Sequence, residues 1–335
     1  MKSCCVSFEE VISVENLCAA WEEFIRGKRK KKDVQEFGFR LGDEIVALHE
    51  ELQVGTYKHG PYHHFSINDP KPRSIHKALV RDRLLHHAIH RKLYPFFFAT
   101  FIADSFSCQK GKGVHKALDC FRRMAWKVGK NQSRPCWVLK CDIRKFFASV
   151  DHAMLIHILN KKIMDRRVLG LLKSVIGSFF ASPGKGIPLG NLTSQLFANV
   201  YLNELDQYVK HGLRINGYIR YADDFVFLSP DREELLVALP KVSSFLQGTL
   251  HLDLHPDKVW LKTLASGVDF LGWVHFPYHR ILRTKTKKRM LKRLVKNPES
   301  ATFNSYEGML KHGNAYGLGQ NLLNQYWFWQ ETQIP

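Results

Sequence analysis

The sequence predicts an α+β fold, on three observations: amphipathic helical runs near both ends, a short strand that closes on a carboxylate, and two β runs folded over a polar turn. Residues 8–27 read as a first helix. Residues 33–54 read as a second, with Val34, Phe37, Leu41, Ile45, Leu48 and Leu52 at spacings of three and four and Asp33 as N-cap. Between them, Arg26-Gly-Lys-Arg-Lys-Lys-Lys32 puts six cations in seven residues, which suits a solvated loop or a phosphate-contacting one. The stretch 59–73 carries Pro61, Pro70 and Pro72 and reads as a linker or extended loop.

Helical spacing returns from Val80 to Leu93, through Leu84, Leu85, Ala88 and Ile89, and again after Gly113, through Val114, Leu118 and Phe121. Cys136 to Asp142 alternates as a strand, residues 191–211 form a long helix, and residues 217–228 form the two β runs. A strand over 268–276 precedes a very basic tail helix from Lys285.

A length of 335 residues with 45% hydrophobic residues can bury a sizeable core, and at roughly 150 residues per domain it allows about two domains. Fifty Lys+Arg against 31 Asp+Glu leave a formal charge of +19, which favours a polyanionic partner such as nucleic acid. Seven cysteines without paired spacing read as reduced thiols. The run Leu93–Ala103 is too short to span a membrane, and Glu9 and Glu10 interrupt the N-terminus before a signal peptide could form. A cytoplasmic protein without a membrane partner is expected.

The turn Tyr221-Ala222-Asp223-Asp224 is flanked by Tyr218 and Ile219 before it and Phe225 to Phe227 after it. Adjacent carboxylates between buried strands repel each other and are costly to desolvate, and a divalent cation offsets that cost. A solvent-exposed Asp turn is the plainer alternative. Asp142, at the end of its own strand, adds a third carboxylate. Together the three can supply oxygen ligands for a two-metal site, which suits Mg²⁺. The histidines at 59, 63 and 64 and at 86, 87 and 90 invite a zinc reading, with Asp82 on the same helix face as His86 and His90. No cysteine supports it, so they read as structural or RNA-facing.

In order along residues 71–276 the chain resembles a reverse transcriptase. Arg73-Ser-Ile-His-Lys-Ala-Leu-Val-Arg-Asp-Arg83 and Asp104-Ser-Phe-Ser-Cys-Gln-Lys-Gly-Lys-Gly113 are similar to two fingers blocks of bacterial and group II intron-type enzymes. The segment 138–151 resembles the first palm block, and Tyr-Ala-Asp-Asp is the family's central signature. Leu252-Asp-Leu-His-Pro-Asp-Lys258 and Val268-Asp-Phe-Leu-Gly-Trp273 resemble the two blocks that follow. Gly186-Ile-Pro-Leu-Gly-Asn-Leu-Thr-Ser-Gln195 narrows the resemblance. Most reverse transcriptases carry Gln-Gly-x-x-x-Ser-Pro there, whereas a Leu-Gly-x-x-x-Ser-Gln version is similar to the enzymes of diversity-generating retroelements.

The resemblance implies a right-hand polymerase, its antiparallel palm sheet backed by helices. Residues 1–70 would be a helical N-terminal extension, 71–280 fingers and palm, and 281–335 the thumb, leaving nothing for a maturase or endonuclease domain. It implies an RNA-directed DNA polymerase of low fidelity that copies a template-repeat RNA with errors at adenines, so that the cDNA rewrites a variable gene.

It also implies roles. Asp142, Asp223, Asp224 and the Ile143 carbonyl would hold two Mg²⁺ ions, with Mn²⁺ a substitute. Lys258 would give a proton to pyrophosphate. Arg73, Lys71, Phe147, Gln195 and Leu189 would line the nucleotide site, with Phe147 excluding a ribose 2′-hydroxyl. Phe270, Leu271 and Gly272 would form the primer grip. Lys285, Lys287, Lys288, Arg289, Lys292 and Arg293 would lie along a duplex backbone, and Tyr326-Trp-Phe-Trp329 would be thumb core. Implied partners are template RNA, its RNA–DNA hybrid, dNTPs and a small basic pentameric accessory variability protein, in a bacterium or a phage-infected one. The competing expectations are a retron, defence-associated or intron-derived reverse transcriptase, or a non-catalytic RNA-binding protein on the same fold. Nucleotide cyclases also pair Asp residues on such a palm but leave the fingers blocks and the +19 charge unexplained.

Overall fold

The structure, a computed structural model, describes residues 3–68, 72–296 and 299–331. The first expected helix is two, α1 (Phe8–Ile12) and α2 (Val14–Phe24), because Ser13 stops one and caps the other by accepting from the Asn16 amide. The second is also two, α3 (Lys32–Phe39) and α4 (Leu41–Val54). Asp33 is not the N-cap. It lies in the first turn and holds Lys77 Nζ and Arg83 Nη2, each at 2.6 Å. Where a loop was expected, β1 (His63–Ile67) and β2 (Arg73–Lys77) form an antiparallel hairpin.

α5 (Val80–Phe98) runs through the aromatic segment with Pro95 inside it, and Asn16 Nδ2 donates to its Ala88 carbonyl at 3.2 Å. α6 (Val114–Val128) leads into β3 (Trp137–Asp142) and the short α7 (Phe146–Ser149). Asp151 and Asp165 cap α8 (His152–Asn160) and α9 (Arg166–Gly177). α10 (Leu192–Gln207) ends in a π-helical turn over Tyr208–Gly212. Then come β4 (Tyr218–Tyr221), β5 (Asp224–Ser229), α11 (Arg232–Leu250) and β6 (Trp260–Thr263). The strand expected over 268–276 is a hairpin, β7 (Val268–Phe270) and β8 (Trp273–His275), turned at Leu271-Gly272 and joined by β9 (Arg280–Leu282). Three helices follow, α12 (Thr284–Lys296), α13 (Ser300–Leu310) and α14 (Tyr316–Glu331).

The central sheet is antiparallel in the order β4-β5-β3-β6. Alternation sorts its side chains onto two faces. Leu139, Cys141, Tyr218, Phe225 and Phe227 enter a large core that also takes in α1, α2, α4, α5 and α8 to α11. Val138, Ile219, Val226 and Leu228 pack the other way, against α6 and Phe270. Lys140 and Asp142 on β3, and Asp224 on β5, share that second face. A third core joins α12, α13 and α14 to Leu118 and Trp273. Among the described residues, no helix is long and apolar enough to cross a membrane.

Candidate active site

The sheet brings the three carboxylates to one end. Asp142 lies opposite Asp224 in the β3–β5 register, and the Ile143 amide donates to the Asp223 carbonyl at 3.1 Å. Tyr221 pairs with Asp224, which leaves a two-residue turn, Ala222-Asp223. Ala222 takes the left-handed region at φ 55°, costing an L-residue about 1–2 kcal/mol. Arg220 supports that turn from beneath, with Nη1 donating to the Ala222 carbonyl at 3.2 Å. Arg220 is itself fully buried and forked onto Asp206, at 2.7 Å from Nε and 2.6 Å from Nη2. Tyr218 Oη donates to the same Asp206 at 2.8 Å, and Arg220 Nη1 also reaches Asn199 Oδ1 at 3.5 Å.

Each end of the carboxylate row carries a lysine. Lys258 Nζ sits 2.7 Å from Asp142 Oδ1, and the His255 amide fixes the Asp142 carbonyl at 2.8 Å. Lys140 Nζ sits 3.0 Å from Asp224 Oδ2. Burial pushes the Asp224 carboxyl up to about 6, Lys140 pulls it down, and the charges of Asp142 and Asp223 add to the rise. Asp224 Oδ1 is buried with no hydrogen-bond partner. Among the described residues, no three His, Cys, Asp or Glu side chains converge as they stand into a cation cage. An all-oxygen donor set with one buried, unpartnered oxygen nevertheless fits a hard divalent cation, once the Lys258 ammonium gives way.

Around this row, Phe146 is buried core and Phe147 is only partly buried, with the rings edge-on at 5.4 Å. The Phe147 carbonyl accepts from the Ile187 amide at 2.8 Å, so the ring is tied to the segment that leads into Leu189. That segment is zipped to β2. The Leu189 carbonyl accepts from the His76 amide at 3.0 Å, and Asn191 donates to the His76 carbonyl at 2.8 Å and accepts from the Ala78 amide at 3.4 Å. Gly190, at φ 115°, lies so close to β2 that a Cβ there would stand 2.9 Å from Ile75 Cγ2. Gln195 is half-buried in the first turn of α10, its amide 3.4 Å from the Asn191 carbonyl.

Arg73 is exposed at the start of β2, and its charge reaches Tyr221. Burial raises the Tyr221 hydroxyl, and the Arg73 guanidinium pulls it back. Lys71 lies outside the described residues. Phe270 is core, whereas Leu271 (φ 51°) and Gly272 (φ 85°) make the hairpin turn. On α12, Thr286, Met290 and Leu294 face inward. Lys285, Lys287, Lys288, Lys292 and Arg293 are exposed and Arg289 is half-buried. Tyr326 is buried and stacks on Phe303 at 4.4 Å, while the side chains of Phe328 and Trp329 lie outside the description.

His59, His86, His87 and His90 are spent on packing, whereas His63 and His64 are exposed on β1. His59 and His86 meet Nε2 to Nε2 at 3.2 Å, and burial pushes His86 down to about 3. His87 meets the edge of Phe24, and His90 stacks on Tyr94.

Sequence reasoning missed Lys140, Asn191, Asn199, Asp206 and Arg220. Alternation in Cys136–Asp142 puts Lys140 on the face of Asp142 and was the one available signal. Asp206 and Arg220 are 14 positions apart, and Asn191 and His76 are 115 apart.

The profile of the reverse transcriptase (RNA-dependent DNA polymerase) family matches residues 67–275. Protein YkfC of Escherichia coli is 26% identical over 289 residues, 74% of this chain and 74% of that protein. The group II intron-encoded protein LtrA of Lactococcus lactis is 27% identical over 176 residues, covering 50% of this chain and 28% of its own length. The apo telomerase of Candida tropicalis, truncated of its C-terminal domain, superposes with a TM-score of 0.50 at 13% identity, over 68% of this chain and 55% of that one. The chain thus spans under a third of LtrA and about half of the telomerase chain.

Proposed function

The chain belongs to the reverse transcriptase family, the RNA-directed DNA polymerases, and on that premise we propose that it copies a template-repeat RNA into adenine-mutagenised cDNA, as the enzyme of a diversity-generating retroelement. The observation that carries this finer reading is the block from Leu189 to Gln195, which stands where the common motif has an opening glutamine and a closing proline. A retron, defence-associated or intron-derived enzyme is the second reading, favoured by the similarity to LtrA.

Reverse transcriptase domains use divalent metal ions. In this chain Asp142, Asp223, Asp224 and the Ile143 carbonyl would hold two Mg²⁺, or Mn²⁺. When bound, the ions supply positive charge to the attacking 3′-hydroxyl, the transferred phosphorus and the leaving pyrophosphate. Lys258, whose Nζ is 2.7 Å from Asp142 Oδ1, would turn to pyrophosphate and give it a proton as it leaves. Arg73 approaches the same turn from the fingers side and would meet the triphosphate. The basic outer face of α12 would follow the backbone of an RNA–DNA hybrid, read by shape and not by base sequence. A small basic pentameric accessory variability protein is the proposed protein partner, and a bacterial cytoplasm the proposed setting.

Phe147 would close the space under the sugar C2′. Phe147→Ala is expected to raise rNTP incorporation relative to dNTP by about 10-fold or more, since a filled apolar contact discriminates by about 1–3 kcal/mol. Single-nucleotide extensions with each triphosphate measure the ratio, and an unchanged ratio places the gate elsewhere.

The test of the retroelement reading is fidelity. Leu189 withholds the amide hydrogen bonds of the usual glutamine from the floor under the templating base, and Gln195 replaces a rigid residue with a flexible one. A looser floor narrows the difference between match and mismatch. Proline at 195 is tolerable, because it would sit in the first turn of α10 and break only the long 3.4 Å bond to Asn191. The native protein is expected to misincorporate opposite adenine far more than opposite other bases, and Leu189→Gln with Gln195→Pro to reduce that error. Sequencing cDNA made by both proteins from one template decides it. Equal adenine error in the two moves the cause outside this block, and uniformly low native error removes the retroelement reading.

A further inference from the structure

Lys140 sits in the middle of β3, two residues before Asp142 and on the same face, with a side chain only 13% exposed. A buried ammonium is costly unless its hydrogens are met. Two acceptors from two different sheets meet this one. Asp224 Oδ2 is 3.0 Å from Nζ, and the backbone carbonyl of Asp269 on β7 is 3.1 Å from it. The ring of Phe270 lies under the same ammonium at 5.8 Å. Among the described residues no strand pairing joins the four-stranded sheet to the three-stranded one, so the lysine bridges them through its side chain.

The contacts continue beyond Asp269. Its carboxylate accepts from Arg283 Nε at 2.8 Å, and the Arg283 amide donates to the Gly272 carbonyl at 3.1 Å. Arg283 immediately precedes α12. The turn at Leu271-Gly272 is therefore held from both ends, by Lys140 through Asp269 and by Arg283 through Gly272. Leu271 keeps a left-handed φ of 51° there, a conformation that needs such support.

From this geometry we propose that Lys140 is a positioning residue that fixes the turn at Leu271-Gly272, and with it the primer 3′ end, relative to the carboxylate row. The proposal rests on the polymerase reading given above. Asp224 then serves as the anchor for this tie as much as a source of charge.

The experiment is steady-state single-nucleotide extension by the full chain at saturating Mg²⁺ and dNTP, with primer–template binding measured separately. Lys140→Met is expected to lower kcat by about 100-fold, the scale of a misplacement near 1 Å, with the Kd for primer–template changed less than about threefold. Arg283→Met, at the other end of the tie and partly exposed, is expected to lower kcat in the same way but less. The two losses are expected to be non-additive in the double variant, because both release the same turn. Additive losses, or a Lys140→Met effect confined to the Mg²⁺ concentration needed for half activity, would overturn the proposal in favour of charge neutralisation. Where melting curves show Lys140→Met unfolded, Arg283→Met alone takes its place: it releases the same turn from its other end, so kcat still falls, and native kcat overturns the tie. If the unmodified chain extends no primer, the polymerase reading itself fails, which is a separate result.

Discussion

Asp142→Asn and Asp223→Asn are each expected to lower DNA synthesis by about a thousandfold or more, roughly 4 kcal/mol of transition-state stabilisation, while RNA binding stays within a few-fold of native. Asparagine keeps the size and shape of each side chain. The backbone bond from Ile143 to Asp223 and the pairing of Asp142 with Asp224 do not depend on the carboxylates and should survive. What is lost is negative charge at the place where a divalent cation must be held. RNA affinity rests on a formal charge of +19 spread over the chain, which either change alters by one unit. Primer extension and a binding titration at one fixed salt concentration separate the two. Extension at near-native rate by either variant would remove that carboxylate from the metal site.

The second large effect concerns stability. Arg220 and Asp206 are both fully buried, and removing one partner strands the other's charge in the core. Asp206→Ala is expected to destabilise the fold by about 3–5 kcal/mol and to lower Tm by about 10 °C. Asp206→Leu combined with Arg220→Met replaces the pair by apolar residues and is expected to recover most of that stability. Activity is not expected to return with it, since the Ala222 carbonyl loses the Arg220 Nη1 bond that supports its left-handed turn. Denaturant unfolding followed beside primer extension gives both readouts. A stable Asp206→Ala variant would mean that water reaches the pair, and full activity in the double variant would mean that the turn holds itself.

Much of the site was legible in the sequence because its signals are local. Alternation in Cys136–Asp142 marks β3, apolar runs on both sides of Asp223-Asp224 mark the hairpin, and helical spacing marks α10. The β1–β2 hairpin gave no such signal, because every residue of β1 is exposed and no buried face imposes alternation. Asp33 has the composition of an N-cap, yet two cations 44 and 50 residues away claim it. Propensity cannot register partners at that separation, and the same holds for Arg220 with Asp206. The breaks at Ser13 and Arg40 lie inside continuous apolar spacing; the Ser13 side chain caps α2, whereas Arg40 makes no side-chain cap bond, so no local signal marks the second break. The Leu271-Gly272 turn was hidden by a leucine in a conformation that favours glycine.

The large core has a consequence for how this protein can be cut or recombined. The family match begins at residue 67, but the core begins at Cys4 and takes in Leu17, Trp21, Phe24, Ile45 and Leu48 beside Leu84, Leu85 and Ile89 of α5. A fragment trimmed to the matched segment would lay bare the apolar side of α5 and leave the Ala88 carbonyl without its Asn16 donor. Such a fragment is an aggregation hazard, not a minimal enzyme. A chimera between relatives must therefore carry the first four helices along with α5 from the same parent, and shuffling at the family boundary would separate two halves of one packed surface.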